Sequence, residues 1–422
     1  MLVLLGGLIV LATIYLLIKQ YENRMVLFCA GLAMGLLALN PMAAFKAFSE
    51  AMHESRVFEP IIAVMGFSMV MKVTECDKHL IHLLAKALRK AGPFLIPGAT
   101  VATLAVNTSI TSAAGCSAAV GAILIPLLMS AGVYPAVAAS AVFAGTYAAM
   151  LNPGFAQVII ISDVSKASPM AVIANHSKVV MLCGLIGAFS LALVAYLRRE
   201  HKGYLPEGTK VGESVADFKV NLLKAMVPVL PLAILLLGST GAVSALRQLG
   251  ISHAMIIGVF VGFLVTWKSP GTLSKEFWHG AGDAFGHVFG IITCALVFVG
   301  GMTAIGLVKA LIDAMIANPQ IAKVSSAFGP FVLGVMSGSG DAAAVAFNKA
   351  VTVNAAHFGL SPMNMGSVAA IGGALGRTMS PVAGGAIICA GLAGVNPLEI
   401  PKRNGPGMLV AVVVCMVMLL YL

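Results

Sequence analysis

Apolar stretches of about the length of a membrane-spanning helix alternate along the whole chain with short polar connections. A helix needs about 20 apolar residues to cross the hydrocarbon core of a bilayer. Such stretches cover residues 2–18, 25–41, 57–74, 135–162 and 179–197 of the first half, and residues 226–243, 253–267, 284–306, 364–390 and 405–422 of the second. The pattern therefore predicts an all-α polytopic membrane protein.

Two further apolar regions, residues 94–130 and 327–358, are too long for one span and short for two. Each has small and hydroxyl-bearing residues at its middle, from Thr108 to Ala119 in the first region and from Ser337 to Ala346 in the second. Irregular backbone at membrane depth is tolerated only where protein or a water-filled cavity surrounds it. We expect a re-entrant helical hairpin in each region.

Proline-containing pairs recur about 228 positions apart: Tyr134-Pro135 returns as Ser361-Pro362, Asn152-Pro153 as Ser380-Pro381, and Ser168-Pro169 as Asn396-Pro397. The middle pair lies inside an apolar stretch, where proline removes a backbone donor and breaks a helix. The spacing predicts a first repeat at residues 1–197, a linker at residues 198–225 and a second repeat at residues 226–422. Each repeat contains about five spans, one hairpin and a helix broken at the midplane (135–162 and 364–390), a form typical of secondary transporters.

Each repeat then crosses the membrane an odd number of times, so the second repeat inserts upside down relative to the first. Basic residues predict the orientation, because short cytoplasmic connections carry an excess of Lys and Arg. Placing the linker in the cytoplasm puts most of the 26 Lys and Arg residues on that side. We expect a cytoplasmic linker, both termini outside, insertion in the cell inner membrane, and two basic residues, Lys349 and Arg377, within the membrane region.

Composition supports the same class. The chain is 59% hydrophobic and 10% charged, with a mean hydropathy of +0.98, which excludes a soluble globular surface. The net charge of +10 does not indicate nucleic acid, because the basic residues sit in short connections between spans. The seven cysteines lack the paired spacing of a metal site. No basic region precedes the first apolar stretch, which predicts a span rather than a cleaved signal peptide.

Helices that begin within the membrane expose unpaired backbone N–H groups and a positive dipole end, and both suit a carboxylate. Four such ends are expected to converge: the second hairpin arms, near Ser117 and Asp341, and the restarts after Asn152-Pro153 and Ser380-Pro381. Four glycines are expected to let backbone approach the ligand closely, namely Gly145, Gly154, Gly376 and Gly384. The alternative is that these prolines and glycines only kink packed helices.

Two charged residues stand out in the second half. A guanidinium in the membrane needs an anionic partner, and the planar fork of Arg377 matches a carboxylate. Its partner is expected to be the substrate; the alternatives are a permanent pair with Asp341 or snorkelling to the interface. Asp341 either caps the helix that follows it or acts as the ion-coupling residue, exchanging a proton or binding a cation.

The remaining substrate-binding candidates are small or polar residues near the hairpin tips and the helix breaks. Each either contacts substrate oxygen atoms or bonds its own helix. They are Asn107, Thr108, Ser109, Ser112, Gly115, Cys116, Ser117, Asn152, Pro153, Gly154, Ser337, Gly338, Ser339, Gly340, Thr378, Ser380 and Pro381. Lys349 either attracts the anion or reaches the interface, the second being preferred.

A family resemblance is carried by four segments, NTSITSAAGCSAAVGAILIP, AGTYAAMLNPGFAQ, SGSGDAAAVAFNKA and GGALGRTMSPVAGG. They resemble the hairpins and unwound helices of the DcuC-type carriers of four-carbon dicarboxylates, within the ion transporter superfamily. The resemblance covers nearly the whole chain. It implies a homodimer, a scaffold made by the first spans of each half, and a transport domain that moves like an elevator. Gly115-Cys116-Ser117 and Gly340-Asp341-Ala342 stand where the sodium-coupled branch has Ser-Asn-Thr, so the resemblance does not extend to that motif.

The expected function is secondary transport of succinate, fumarate or malate, coupled to H⁺ or Na⁺ or working by exchange. No segment resembles an ATP-binding P-loop, so gradients supply the energy, and no cofactor beyond a coupling ion is expected. The histidines form no catalytic constellation, so an enzyme is not expected. The expected partners are a small organic dianion, the lipid bilayer and a second copy of the chain. The alternatives are a carrier of another organic anion, such as gluconate, citrate or lactate, and an anion channel.

Overall fold

The structure is a computed structural model that describes residues 2–19, 21–52, 55–88, 92–204, 218–239, 243–246 and 248–422. Within these ranges the chain is helical and contains no strand, which confirms the predicted all-α class. The central part of the predicted linker, residues 205–217, lies outside the described residues, as do Arg89 and Lys90.

Ten α-helices make up the described first half. They are α1 Leu2–Ile18, α2 Asn23–Leu37, α3 Met42–Met52, α4 Ser55–Val73, α5 Cys76–Leu88, α6 Leu95–Asn107, α7 Ala113–Ser130, α8 Pro135–Ala144, α9 Ala156–Ser165 and α10 Pro169–Leu197. We call α6 and α7 hairpin 1, and the residues between α8 and α9, which include the 3₁₀ turn Ala148–Leu151, break 1.

Eleven α-helices follow in the described second half. They are α11 Leu222–Met226, α12 Leu230–Ser239, α13 Ile251–Thr266, α14 Pro270–Asp283, α15 Gly290–Ala304, α16 Leu307–Ala317, α17 Pro319–Ser337, α18 Gly340–Ala350, α19 Pro362–Thr378, α20 Gly384–Ala393 and α21 Pro401–Leu420. A π-helical turn, Ala284–Phe289, precedes α15. We call α17 and α18 hairpin 2, and the residues between α19 and α20 break 2.

Helix bounds in the two halves correspond at a spacing of 228 residues. α9 and α20 are both ten residues long and begin at residues 156 and 384. α2 and α13 begin at residues 23 and 251, and α3 and α14 begin at residues 42 and 270. The correspondence therefore extends beyond the proline pairs into segments with different sequences.

Two features of the helices differ from the sequence prediction. α10 begins ten residues before the predicted span at 179, because the Ser168 hydroxyl caps its first turn and Pro169 is preorganised for a helix start. Four amphipathic helices, α3, α5, α14 and α16, occupy connections where no element was predicted. Their charged residues interrupt the apolar pattern that indicated the spans.

Five helical segments among the described residues are long and apolar enough to cross a membrane. They are Ala113–Ser130, Pro135–Ser165, Pro169–Leu197, Pro270–Ala304 and Pro401–Leu420. Six shorter apolar helices accompany them, including α1, α2, α6, α13 and α20. Since several such segments occur in each half, the helices are those of a multi-pass membrane protein.

The two halves interlock around the hairpins and the breaks. α7 packs against α20, and α18 packs against α9, so the second arm of each hairpin contacts the helix that follows the break of the other half. α10 and α21 lie along each other, with the Cys183 thiol 3.4 Å from the Ala411 carbonyl. α4 packs against α13 and α14, while α2 and α3 pack against α15. This exchange brings four helix N-termini to one place.

Candidate functional site

A cavity of about 530 Å³ lies where those four N-termini meet. One wall is formed by the first turns of α7, α9, α18 and α20 with the residues that precede them, including Ser112, Phe155, Gly338 and Ala383. The opposite wall belongs to α4 and to the turn and helix around Val288, and it is mainly apolar. Backbone N–H groups at a helix start have no partner within the helix, so this wall offers donors and four positive dipole ends.

Equivalent side chains shape the two breaks. In break 1, the Asn152 side-chain oxygen accepts a hydrogen bond from the Gly154 N–H at 2.9 Å. In break 2, the Ser380 hydroxyl accepts one from the Val382 N–H at 3.3 Å. The two acceptors are 228 positions apart, each directly precedes a proline, and each makes the local turn that Asn and Ser favour. The predicted proline pairs therefore lie between helices rather than inside one.

Side chains from the last helix of each half satisfy the carbonyls that the breaks release. The His176 Nε2 atom lies 2.8 Å from the Met150 carbonyl oxygen, and the Asn404 Nδ2 atom donates to the Thr378 carbonyl oxygen at 3.2 Å. His176 and Asn404 are 228 positions apart, and so are their acceptors Met150 and Thr378. A carbonyl only accepts, so Nε2 of His176 carries the proton, while its Nδ1 accepts from the Ser367 hydroxyl at 3.1 Å.

An ion cluster fixes the start of α21 next to Asn404. Arg403 is buried and forms ion pairs with Glu200, at 2.6 Å, and with Glu399, at 2.8 Å. Hydrogen bonds from Arg403 and Lys402 lower the pKa of the Glu399 carboxyl to about 2. The cluster ties the first residues of the predicted linker to the last helix.

The tip of hairpin 1 is held by side chains that bond its backbone. The Ser112 hydroxyl caps α7 by accepting from the Gly115 N–H at 3.2 Å. Asn107 is fully buried; its amide donates to the Ile110 carbonyl and accepts from the Ala149 N–H in break 1. The tip and the break are therefore one hydrogen-bonded unit, and α7 begins at Ala113 rather than near Ser117 as predicted.

Hairpin 2 approaches α19 backbone to backbone. A Cβ atom on Gly340 would lie 1.9 Å from the Gly373 carbonyl oxygen, so only glycine fits at this contact. At the tip, Gly338 has φ +71° and a Cβ there would lie 2.8 Å from the Ala383 nitrogen. These contacts bring the first turn of α18 against break 2 and place Asp341 at the cavity.

Arg377 lies on the last turn of α19 and reaches the cavity from a buried position, with 8% of its surface exposed. Its Nη2 donates to the Thr146 carbonyl in break 1 at 2.9 Å. Its Nε and Nη1 atoms are buried and make no hydrogen bond to any described residue. A desolvated guanidinium with free N–H groups needs an anion, and a carboxylate fits its fork.

Asp341 and Arg377 both line the cavity, but no ion pair joins them among those of the described chain. The structure therefore does not support the alternative of a permanent pair. Asp341 sits in the first turn of α18, where a negative charge is favourable, and no described hydrogen bond makes it a helix cap. Its backbone carbonyl accepts from the Gln157 side chain at 2.9 Å.

The cavity brings together some of the predicted substrate-binding residues. Those that line it are Ser112, Gly154, Gly338, Asp341 and Arg377. Others do not line it, namely Asn107, Thr108, Ser109, Gly115, Cys116, Ser117, Asn152, Pro153, Gly340, Thr378, Ser380 and Pro381. Several of them bond backbone instead: Asn152 donates to the Thr108 carbonyl, and the Ser109 hydroxyl donates to the Pro228 carbonyl. Ser337 and Ser339 line a second, apolar cavity of about 90 Å³ between hairpin 2 and α1.

Two glycines and one lysine act differently from their prediction. A Cβ on Gly145 would lie 2.6 Å from the Thr100 carbonyl, and one on Gly376 would lie 2.0 Å from the Phe331 carbonyl, so both glycines serve helix packing rather than ligand approach. Lys349 does not line the cavity. It forms a 3.0 Å ion pair with Asp163 at the end of α9, with 9% of its side chain exposed.

Sequence reasoning missed three polar residues at the cavity. Gln157 lies on the first turn of α9, four residues after Pro153. The expectation that a helix restarts after Asn152-Pro153 at the ligand could have pointed to it. Lys72 and Asp283 line the cavity from the opposite wall, on α4 and α14. Only the packing between the halves brings these two to the site, so no local pattern indicates them.

Comparison with known families adds independent information. The family model "DcuC: C4-dicarboxylate anaerobic carrier" matches residues 42–422. The match therefore includes both hairpins, both breaks and every residue that lines the cavity.

Individual proteins give the same relationship. The chain is 40% identical over 272 residues to an uncharacterized transporter of Haemophilus influenzae, which covers 62% of this chain and 97% of that protein. It is 24% identical over 386 residues to the anaerobic C4-dicarboxylate transporter DcuC of Escherichia coli, covering 85% of this chain and 79% of that protein. The corresponding protein of Vibrio cholerae, a probable DcuC, is 26% identical over 376 residues.

Among solved structures, the YdaH transporter of Alcanivorax borkumensis, described as having an unusual topology, superposes with a TM-score of 0.60. The match covers 89% of this chain and 86% of that one at 14% identity, so it shows a shared fold alone. The family match over residues 42–422, together with the transporters that share its sequence, gives the relationship: the chain belongs to the DcuC family of C4-dicarboxylate carriers and is a membrane transporter.

Proposed function

We propose that this protein carries small C4 dicarboxylates, such as succinate, fumarate and malate, across the inner membrane and binds them in the 530 Å³ cavity. The observation that carries the proposal is Arg377, a buried guanidinium with two nitrogens that make no hydrogen bond to the described chain. Its bond to Thr146 uses one of the two hydrogens on Nη2. The second Nη2 hydrogen and an N–H of Nε or Nη1 can therefore donate side by side to the two oxygens of one carboxylate. A substrate carboxylate fills this fork.

The second carboxylate of the substrate binds at the helix N-termini. Ser112 and Ala113 at α7, and Gly384 at α20, present first-turn N–H groups to the same cavity. Each helix end carries a partial positive charge equivalent to about half an elementary charge, which suits an anion. On this wall a dianion thus meets one full cation, Arg377, and several partial positive charges. A monocarboxylate leaves part of the wall without a partner.

The arrangement of the walls supports an elevator-like mechanism in two inverted repeats. One wall consists of hairpin and break residues, which interlock across the two halves, and the other is the mainly apolar face of α4 and α15. An apolar face makes few hydrogen bonds that must break when the facing domain slides. The hairpins and breaks form the moving domain, and the helices before each hairpin form the scaffold, which pairs with a second copy in a homodimer.

Asp341 is the coupling residue of this proposal. Its carboxylate faces the cavity beside the substrate site and forms no ion pair in the described chain, so it is available to a proton or to Na⁺. The charges of Arg377 and Asp341 cancel in the empty cavity, so a bound dianion adds two negative charges. Each cation that binds at Asp341 together with the substrate removes one of them, which lowers the cost of moving the loaded cavity through the bilayer. Exchange of one dicarboxylate for another is the alternative source of energy.

Uptake into proteoliposomes tests the function. Purified protein should accumulate labelled succinate when a proton or a sodium gradient is imposed separately, and unlabelled fumarate and malate should compete. Gluconate, citrate and lactate should not compete. Uptake that responds to one of those three anions and not to a C4 dicarboxylate would contradict the substrate class.

The orientation is tested by cysteine labelling. With the seven native cysteines replaced, Thr209→Cys in the linker should react with an impermeant reagent only from the cytoplasmic side. Labelling of Thr209→Cys from outside would overturn the orientation.

A further inference from the structure

The side chain of Gln157 leaves one polar atom at the cavity without a partner. Gln157 is the second residue of α9, is 1% exposed and lines the cavity. Its Nε2 donates to the Asp341 carbonyl in hairpin 2 at 2.9 Å. Its Oε1 is buried and makes no hydrogen bond to any described residue.

The identity of the free atom follows from its partner. The Asp341 carbonyl can only accept a hydrogen bond, so the amide nitrogen of Gln157 must face it, and a flipped amide would place two oxygens in contact. The atom that remains is therefore an acceptor. Leaving a buried acceptor without a donor is costly, so a ligand that supplies one binds more tightly.

No described group of the chain supplies that donor. The helix N-termini and Arg377 carry donors, but they point at the place where substrate carboxylates bind, and carboxylates only accept. A succinate dianion has acceptors alone and satisfies these donors while leaving Gln157 without a bond. A hydroxyl on the carbon next to a carboxylate adds one donor within a bond length or two of the anion that Arg377 holds.

We propose that Gln157 is a specificity-determining residue that accepts a hydrogen bond from a substrate hydroxyl, so that the cavity selects 2-hydroxy C4 dicarboxylates over unsubstituted ones. This inference rests on the proposed function, since it assumes that C4 dicarboxylates bind in the cavity. Gln157 also joins α9 to hairpin 2 through its bond to the Asp341 carbonyl. The substrate hydroxyl is therefore bound where the two halves of the chain meet.

Competition against bound, labelled succinate tests the inference with the purified full chain. L-malate should displace the label at about one tenth of the concentration that succinate needs, the effect of one added hydrogen bond at a buried acceptor. Gln157→Leu should bring this ratio close to one. Loss of the bond to Asp341 in the same variant weakens both ligands alike and cancels in the ratio. Gln320→Leu, the same change at an exposed position, should leave the ratio unchanged.

Methylsuccinate separates the donor from the size of the substituent and needs no variant. It should compete no better than succinate in the unmodified protein. The inference is overturned by a malate-to-succinate ratio near one in the unmodified protein, by an unchanged ratio in Gln157→Leu, or by methylsuccinate competing as well as malate. If no labelled succinate binds and no dicarboxylate competes, the proposed function fails instead.

Discussion

Replacing Arg377 with lysine separates the charge of the side chain from its shape. Arg377 donates to Thr146 through Nη2 and keeps Nε and Nη1 free of described hydrogen bonds. Lysine preserves the positive charge but offers a compact ammonium in place of the planar fork. Arg377→Lys therefore keeps the long-range attraction for an anion and loses the two-point contact with one carboxylate.

The size of the effect follows from the bonds lost. A hydrogen bond to a charged group contributes about 1.5 to 3 kcal/mol, and one such bond disappears when the fork is replaced by a single-point contact. At about 1.4 kcal/mol for each tenfold change, the Kd for succinate should rise by roughly 10- to 150-fold. Binding should not vanish, because the helix N-termini of the cavity are unchanged.

Calorimetry on the detergent-purified protein measures this change directly. Arg198→Lys is the matched control, since Arg198 is exposed at the end of α10 and does not line the cavity, and it should leave the Kd unchanged. A Kd for succinate in Arg377→Lys within twofold of the unmodified value would refute the reasoning. It would mean that the guanidinium holds the breaks together and does not contact the substrate.

Three further predictions concern coupling and support of the site. Asp341→Asn should still bind and exchange dicarboxylate but lose accumulation driven by an ion gradient, because the neutral amide does not exchange a proton and lacks the negative charge that attracts Na⁺. Exchange assays that fall together with accumulation would argue against a coupling role. His176→Leu should lower transport, because it leaves the Met150 carbonyl without its donor. His176→Asn should retain most activity, because Asn404 donates to the equivalent carbonyl, that of Thr378, in the second half; equal activities of the two variants would contradict this. Lys349→Met should destabilise the protein by about 1 to 3 kcal/mol as judged by thermal unfolding, because it leaves the half-buried Asp163 with only the exposed Lys166 as a partner in the described chain, and adding Asp163→Asn should restore much of the loss; the absence of recovery would count against a structural pair.

The sequence predicted those parts of the fold that depend on local chemistry. Apolar length predicted helices along the apolar stretches. The one expected from residue 135 begins there as α8, and the one expected from residue 364 begins two residues earlier, at Pro362. Apolar length alone placed the start of α10 too late, at residue 179, whereas the Ser168 cap and Pro169 set it at residue 169. A helix start that is set by a capping residue and a proline can be predicted from sequence, because the residues that determine it lie within one turn of it.

The site was predictable only in part, because packing between the halves assembles it. Arg377 could be singled out, since a guanidinium in an apolar stretch is unusual wherever it lies. Lys349 has the same character, yet its partner Asp163 is 186 residues away in sequence and only the contact of α18 with α9 reveals the pair. Hydroxyl and amide residues such as Asn107 had two predicted roles, contact with the substrate or a hydrogen bond to backbone. The Asn107 amide bonds backbone in this structure, and residue type alone does not separate the two roles.

The measurement that tests the central claim most directly is the position of a bound dicarboxylate that carries a heavy atom. Crystals soaked with bromosuccinate should give one anomalous bromine peak per chain inside the cavity, with a carboxylate within hydrogen-bonding distance of Arg377 and the other near the first turns of α7 and α20. A peak outside this cavity, with Arg377 still bonded only to Thr146, would contradict the account.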